Sequence, residues 1–160
     1  MRQILAHYLA CSPASLEIDR QAGGKPYLAG NDQALEFNLS HTKGMALLAV
    51  CAHRPVGVDI EVVRAVADPL RLARRVMDQA SIDALQATAD TEHRLQLFLD
   101  LWTQLEARQK THGLGIFAPA VCRESTQSFG FRVDDDWQGC VAVAASPEPV
   151  ELRFFRFAVS

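Results

Sequence analysis

The sequence predicts an α+β fold, and three observations about the order of helical and strand-like patterns support this prediction. A short helical pattern at the start is followed by a hairpin and a third strand, which end near residue 62. Helical patterns then occupy most of residues 69–110, and strand-like patterns return after Gly113. Because helices and strands come in blocks and do not alternate, a doubly wound parallel sheet is not expected.

The first third of the chain contains one helix and three strands by pattern. Apolar residues at helical spacing between residues 4 and 9 predict a helix that ends before Pro13. Residues 37–40 alternate apolar and polar, a glycine-containing turn follows, and residues 45–52 are a continuous apolar run. This pattern is typical of a hairpin with a buried second strand, and residues 56–62 predict a third strand.

The rest of the chain is predicted to form three helices and then four strands. The helices run from about Arg71 to Met77, with Pro69 in the first turn, from about Ser81 to Thr88, and from about Glu92 to Thr111. In the last of these, the buried face is predicted to be the stripe Leu95, Phe98, Trp102 and Leu105, which Leu99 and Leu101 broaden. The strands are Ile116 to Cys122, Phe129 to Val133, Gly139 to Ala145 and Val150 to Val159.

Two parts of the chain show a weak internal sequence similarity. Residues 44–52, followed by a Pro-Val pair at 55–56, resemble residues 139–146, followed by a Pro-Val pair at 149–150. Chance similarity between small apolar strands is one explanation. The other is a fold of two related halves, whose junction near residues 56–61 is a natural cleft.

Composition narrows the class of protein. The 160 residues, 49% hydrophobic and 22% charged, suit one compact domain or two small lobes that share a core. No apolar run approaches the ~20 residues that span a bilayer, and the start does not resemble a signal peptide, so we expect a cytoplasmic protein without a membrane segment. The net charge of −3 argues against a nucleic-acid partner, and the four cysteines form no C-x-x-C pair.

Asp59 and Glu61 are a carboxylate pair in the third strand. Since they are two residues apart, both side chains leave the same face of the strand. Neighbouring carboxylates repel each other unless water solvates them or a cation bridges them. The pair therefore indicates either an exposed strand face or an oxygen-only site that suits Mg²⁺.

Three further groups of polar residues have an ordinary interpretation and a functional one. Glu106 and Lys110 form an i,i+4 pair of the kind common on helix surfaces, but Glu106 lies at the margin of the predicted buried face. His41, after Ser40 at the hairpin turn, is either solvated or donates to an anion. The third group is a basic helix face that is either solvated or docks an acidic partner or phosphate, formed by Arg71, Arg74 and Arg75.

Four stretches, in this order and spacing, resemble the Sfp-type 4′-phosphopantetheinyl transferases over about residues 2–145. They are Gly24-Lys25-Pro26, Phe37-Asn38-Leu39-Ser40-His41, Gly57-Val58-Asp59-Ile60-Glu61, and Trp102-Thr103-Gln104-Leu105-Glu106-Ala107-Arg108-Gln109-Lys110 with Gly113 and Gly115 behind it. No Walker loop, G-x-G-x-x-G or G-x-S-x-G motif competes with them. Each stretch is a weak signal by itself, whereas the four together are specific.

The resemblance implies a pseudo-dimer of two similar α+β lobes, with residues 1–56 as a partial N-terminal lobe, residues 57–160 as the C-terminal lobe, and coenzyme A in the cleft between them. It implies transfer of 4′-phosphopantetheine to a serine of an apo acyl or peptidyl carrier protein, with release of 3′,5′-ADP. It also implies roles for individual residues. Those that would hold Mg²⁺ are Asp59, Glu61 and Glu106, and those that would contact the coenzyme are Lys25, Pro26, Ser40, His41 and Lys110. The catalytic residues would be Glu106, Lys110 and His41.

The chain departs from the family pattern in three ways. Leu105 stands where the family usually has a lysine, and Ser81 stands where many members have a glutamate that helps to deprotonate the serine, with Asp78 and Asp83 as displaced candidates. The chain is also short at the front, so the first lobe is expected to be incomplete and homo-oligomers are an open alternative. These departures leave open a degenerate homologue that binds coenzyme A, Mg²⁺ or a partner without transfer. A metal-dependent phosphohydrolase is a weaker alternative.

Overall fold

The computed structural model describes residues 1–30, 34–118 and 125–157, and it has the mixed helix and strand content that the sequence predicts. The helices are α1 (Arg2–Tyr8), a short 3-10 helix (Pro13–Ser15), α2 (Pro69–Val76), α3 (Gln79–Ala87) and α4 (Thr91–Thr111). The strands are β1 (Ile18–Arg20), β2 (Pro26–Leu28), β3 (Leu35–Thr42), β4 (Met45–Ala52), β5 (Val56–Val62), β6 (Thr126–Val133) and β7 (Trp137–Ala144). No helix among the described residues is long and apolar enough to cross a membrane.

All strand pairs of the described residues are antiparallel. β1 pairs with β2, β3 pairs with β4 as the predicted hairpin, and the third sheet has the order β5-β7-β6. The side chain of Asn38 connects two of these sheets, because its Oδ1 accepts a hydrogen bond of 2.9 Å from the backbone N–H of Val58. The end of the β3–β4 hairpin therefore lies beside the carboxylate-bearing strand β5.

Two strand predictions are wrong in the described residues. Residues 116–118 form a turn, and the remainder of that predicted strand, up to Cys122, lies outside the described residues. Residues 150–157 form neither helix nor strand, and the end of that prediction also lies outside them. Phe155, which is 80% exposed, belongs to this segment. Its alternation of apolar and polar residues reflects strand propensity, but a strand also needs a partner edge.

The buried face of α4 also differs from the prediction. The predicted stripe consists of Leu95, Phe98, Trp102 and Leu105. Of these only Phe98 is buried, together with Leu99, which broadens the stripe. Thr103, Ala107 and Thr111, which the stripe does not include, are 0%, 0% and 3% exposed. The two threonine hydroxyls donate to carbonyls one turn earlier, each at 2.9 Å, so their burial leaves no polar group unsatisfied. Small side chains at these positions allow α4 to approach the sheet closely.

The closest approach is between α4 and β5 at Gly57. A Cβ atom at this position would lie 2.1 Å from the carbonyl oxygen of Ala107 and 2.5 Å from the backbone nitrogen of Thr111. These distances are far below van der Waals contact, and the atoms concerned belong to the backbone, which cannot move aside as a side chain can. Only glycine fits here, and its presence fixes the last turn of α4 against β5.

Candidate active site

Three carboxylates from two neighbouring elements form the centre of the candidate site. Asp59 and Glu61 lie on one face of β5, and Glu106 reaches them from α4, so that one oxygen of each lies within 4.8 Å of the others. Asp59 is only 2% exposed, whereas Glu61 and Glu106 are half-buried. An exposed strand face, the alternative considered for the β5 pair, is therefore wrong for Asp59.

Lys110 lies among these acids, one helical turn after Glu106. Its Nζ is 3.1 Å from Glu106 Oε2 and donates to Asp59 Oδ1 at 2.5 Å. Ser40 Oγ, on β3, donates to the same Asp59 oxygen at 3.0 Å and accepts from Lys110 Nζ at 3.3 Å. Glu106 and Lys110 are thus more than an exposed helix pair, because they join a network that also includes residues from β3 and β5.

Asp59 also provides an observation that bears on metal binding. Its Oδ2 is buried and accepts no hydrogen bond from the described residues. An unsatisfied buried polar atom of this kind costs about 1–3 kcal/mol, more if it is charged, unless something satisfies it. Carboxylate oxygens are ligands that Mg²⁺ prefers, and Mg²⁺ typically takes one or two of them together with water and substrate phosphates. The donor set fits a magnesium ion held by Asp59, Glu61 and Glu106.

The electrostatics of the cluster also favour a cation. Burial, followed by the neighbouring carboxylates, raises the pKa of Glu61 above its usual value, and burial and Asp59 do the same to the pKa of Glu106. Burial of Lys110 lowers its pKa, but the two carboxylates beside it more than offset this, so that the pKa of Lys110 is raised and the ammonium stays charged. One ammonium does not neutralise three carboxylates, and a divalent cation would relieve the remaining repulsion.

The other residues predicted to contact the coenzyme form no hydrogen bond with the described side chains of this network. His41 follows Ser40 on β3 and is exposed. Because successive side chains of a strand leave opposite faces, His41 does not share the face on which Ser40 meets Asp59. Pro26 is half-buried at the start of β2. Lys25 is buried, and its Nζ donates to two backbone carbonyls rather than to the carboxylates.

The three arginines of α2 form an exposed basic patch. Arg71, Arg74 and Arg75 are all exposed, and none of them forms an ion pair with another described residue. The guanidinium of Arg75 lies 5.6 Å from the ring centre of Phe117, which is itself 73% exposed. The patch therefore combines positive charge with an exposed aromatic ring.

The residues that depart from the family pattern lie in α3 and α4. Leu105 is half-buried on α4, directly before Glu106, and Ser81 is buried in α3. Asp78 caps α3 by accepting from the Ser81 N–H at 2.9 Å, and Asp83 accepts from Gln79 Nε2 at 2.7 Å. Both aspartates are engaged within α3, and neither joins the carboxylate cluster of the described residues.

A pocket of about 340 Å³ opens beside Glu61 and was not predicted from the sequence. Its wall is mostly apolar, with one acid and one base, and it includes Glu61, Arg64, Val66, Leu72, Phe98 and Trp102. Helical periodicity placed Trp102 in the buried stripe, whereas the half-buried ring lines this pocket. The sequence offers one signal for this pocket, the apolar segment that follows β5. That segment is too short to be a strand of its own, so its apolar residues must pack elsewhere.

Comparison with known proteins identifies the family. A family model of the 4′-phosphopantetheinyl transferase superfamily matches residues 55–157. The 4′-phosphopantetheinyl transferase HetI of Nostoc sp. strain PCC 7120 is 36% identical over 118 residues, which cover 72% of this chain and 49% of the relative. The 4′-phosphopantetheinyl transferase AcpT of Escherichia coli K12 is 35% identical over 115 residues, covering 70% and 55%.

A eukaryotic relative shows the same match at lower identity. The L-aminoadipate-semialdehyde dehydrogenase-phosphopantetheinyl transferase of Eremothecium gossypii is 30% identical over 115 residues, covering 69% of this chain and 41% of the relative. The chain belongs to the 4′-phosphopantetheinyl transferase superfamily, which confirms the family suggested by its motifs. It spans about half the length of the curated relatives that it matches.

Proposed function

We propose that this chain carries the active site of a transferase that moves 4′-phosphopantetheine from coenzyme A to a serine of an apo acyl or peptidyl carrier protein. The serine oxygen forms a bond to the β-phosphorus of the coenzyme, and the bond from that phosphorus to the bridging oxygen breaks. The products are 3′,5′-ADP and the modified serine, whose hydroxyl proton passes to a base. The observation that carries the proposal is the carboxylate cluster, with its unsatisfied Asp59 oxygen, in a member of this family.

The cluster suits this reaction on physical grounds. Phosphoryl transfer is catalysed mainly by positioning the groups and by neutralising the charge on the phosphate oxygens. Mg²⁺ bound by Asp59, Glu61 and Glu106 would supply most of that neutralisation. Lys110 adds an ammonium that the surrounding carboxylates keep protonated, and Ser40 holds the side chain of Asp59 in place by its hydrogen bond.

The coenzyme would lie across the ends of β3, β5 and α4. In this proposal Ser40, His41 and Lys110 contact phosphate oxygens, since Ser40 and Lys110 belong to the network and His41 is the exposed residue that follows Ser40. Lys25 and Pro26 contribute through the backbone between the turn at residues 22–24 and β2, because the Lys25 ammonium is directed inward. The contacts of Ser40 with Asp59 and Lys110 also support two lobes, residues 1–56 and 57–160, that meet at the site.

The carrier protein would dock at α2. Arg71, Arg74 and Arg75 are exposed and unpaired among the described residues, so they are available to an acidic surface. Charge complementarity of this kind speeds association and sets orientation more than it adds affinity. Phe117, beneath the guanidinium of Arg75, would provide an apolar contact at the centre of the patch.

A degenerate homologue is the second candidate. In the structure Lys110 pairs with two of the three carboxylates, which is also what a purely structural ion-pair cluster would do. Leu105 and Ser81, in place of charged family residues, point the same way. Such a protein would bind coenzyme A, Mg²⁺ or a partner without transferring the phosphopantetheine group.

Release of 3′,5′-ADP separates the candidates. The protein is incubated with coenzyme A and Mg²⁺, with and without a panel of apo carrier proteins, and the nucleotide products are resolved by chromatography. The transferase predicts 3′,5′-ADP only with a carrier protein and in equal amount to the modified serine. Release without any carrier indicates a phosphohydrolase, and binding without release indicates the degenerate homologue.

Leu105→Lys is expected to raise transfer activity. A lysine directly before Glu106 adds a cation beside the proposed phosphate position, and a hydrogen bond from a charged group contributes about 1.5 kcal/mol or more, which is roughly tenfold in KM for coenzyme A or in kcat/KM. Leu105 is half-buried and lies outside the described hydrophobic clusters, so the fold should tolerate the change. The matched control Leu105→Gln adds polarity without charge, and an equal gain in both variants would contradict this explanation.

A further inference from the structure

A buried lysine connects the two elements that carry the carboxylates. Lys25 is 8% exposed, and its Nζ donates to the carbonyl oxygens of Val56 and Thr111, each at 2.9 Å. Val56 is the first residue of β5, and Thr111 is the last residue of α4. One ammonium therefore bridges the start of the strand that bears two acids and the end of the helix that bears the third.

The junction that Lys25 bridges is tightly packed. The last turn of α4 touches β5 at Gly57, and Thr111 Oγ1 donates to the carbonyl of Ala142 on β7 at 3.2 Å. The turn that leads to Lys25 packs on the other side, because a Cβ atom at Gly23 would lie 1.9 Å from the carbonyl oxygen of Gly113. A change in what occupies this junction must therefore move the end of α4.

The last two turns of α4 bear two of the site residues, Glu106 and Lys110. Lys110 directly precedes Thr111, Glu106 precedes Ala107, and Asp59 is two residues beyond Gly57 on β5. The 3.1 Å and 2.5 Å contacts of Lys110 with the two acids depend on how the helix end sits on the strand. The two hydrogen bonds of the Lys25 ammonium go to backbone carbonyls, so an effect of Lys25 on these three side chains would pass through the backbone.

The position of the Lys25 ammonium at the end of α4 is electrostatically favourable. The carbonyl of Thr111 is one of the last four of the helix, which have no partner within the helix, and a cation there also interacts favourably with the helix dipole. Burial lowers the pKa of Lys25, and the charge of Glu36 partly offsets that effect. Keeping an ammonium in a buried position is unfavourable by itself, so its two carbonyl partners must compensate.

We propose that Lys25 is a positioning residue, which sets the last turn of α4 on β5 and thereby fixes the spacing of Asp59, Glu61 and Glu106 for a divalent cation. The proposal rests on the proposed function, since it assumes that these acids bind metal. It differs from a direct contact with the coenzyme, because the ammonium acts from inside the protein. Removal of the ammonium should therefore weaken metal binding even when no coenzyme is present.

Lys25→Met tests this with Mn²⁺ alone as the probe. The dissociation constant of Mn²⁺ is measured by electron paramagnetic resonance or calorimetry, on protein that circular dichroism shows to be folded. We expect it to rise about tenfold, the lower end of the effect of residues that support metal ligands. The control is Arg20→Met in the neighbouring strand, which removes an exposed cation whose Nη1 donates to Gly24 O at 2.8 Å. The control should leave Mn²⁺ binding unchanged.

Two results for Lys25→Met would contradict the proposal. Weaker coenzyme A binding with unchanged Mn²⁺ binding would make Lys25 a direct coenzyme contact. A lower unfolding temperature with unchanged Mn²⁺ binding would make it only a stabilising residue. If Lys25→Met does not fold, Lys25→Gln, which keeps a hydrogen-bond donor, is measured in its place. Its dissociation constant for Mn²⁺ must rise, but by less than the tenfold expected for Lys25→Met. If the wild type binds no Mn²⁺, the metal site itself fails and this inference falls with it.

Discussion

Glu106→Gln is expected to abolish Mg²⁺-dependent transfer and to weaken Mn²⁺ binding by more than about 100-fold, beyond the ~10–100-fold that changes behind the metal ligands cost. The substitution keeps the size of the side chain and removes its charge. It therefore takes away one of three carboxylates that lie within 4.8 Å of each other, the only such group in the part of the chain that the structure describes. Mn²⁺ titration and an initial-rate assay measure the two effects.

Loss of folding would not explain that result. Burial and Asp59 raise the pKa of Glu106, which means that the folded protein disfavours its charged form, so that a neutral glutamine should leave the free energy of unfolding unchanged or increase it. Glu92→Gln is the control, because Glu92 is an exposed acid in the first turn of the same helix. Equal metal affinity in Glu106→Gln and the wild type would show that the metal assignment is wrong.

Gly57→Ala is expected to lower the free energy of unfolding by about 3 kcal/mol, the upper part of the range for overpacked sites. The added methyl group would meet the backbone of Ala107 and Thr111, so α4 and β5 must move apart. That movement also separates Glu106 from Asp59, and metal affinity should fall together with stability. Urea denaturation followed by circular dichroism gives the first quantity, and Mn²⁺ titration gives the second.

Gly130→Ala is the matched control for the strand glycine. Its Cβ atom would meet only the end of the Gln138 side chain at 3.8 Å, which is ordinary contact, so stability should change by less than about 1 kcal/mol. A Gly57→Ala protein as stable as this control would contradict the close packing of α4 on β5. The supporting role given to Lys25 would lose its structural basis as well.

Much of the fold could be predicted because local signals agree with the tertiary structure. The alternation before Ser40 and the apolar run after Gly44 predicted the β3–β4 hairpin, and Pro69 marked the start of α2. The long helix was predicted within one residue at its start, where Asp90 caps it by accepting from the His93 N–H. These features depend on residues near each other in sequence.

The face of α4 that packs on the sheet could not be predicted in the same way. Hydrophobic periodicity is a pattern of large apolar side chains, whereas the buried positions of this helix also hold Thr103, Ala107 and Thr111. Ala107 and Thr111 lie against Gly57, which is distant from them in sequence. A sequence pattern carries no information on that contact, so the small residues were assigned no buried role.

The residues of the candidate site could be predicted from the sequence, but the hydrogen bonds and ion pairs that join them could not. The spacing of Asp59 and Glu61 and the family motifs placed the acids together, as the structure does. The burial of Asp59 and its shared contacts with Ser40 and Lys110 depend on the packing of β3 beside β5. The family resemblance assigns Lys25 to the coenzyme, and this stays a prediction; the two carbonyl partners of its buried ammonium could not be read from the motif.

The central claim, a metal-dependent transferase site formed by these residues, is tested most directly by the intact mass of an apo carrier protein. The carrier is incubated with coenzyme A and the metal-free protein, with and without added Mg²⁺, and the Glu106→Gln protein is treated in parallel. We expect one phosphopantetheine adduct per carrier serine only with wild-type protein and Mg²⁺. No adduct at protein concentrations equal to those of the carrier, or an adduct of the same yield with Glu106→Gln, would contradict the account.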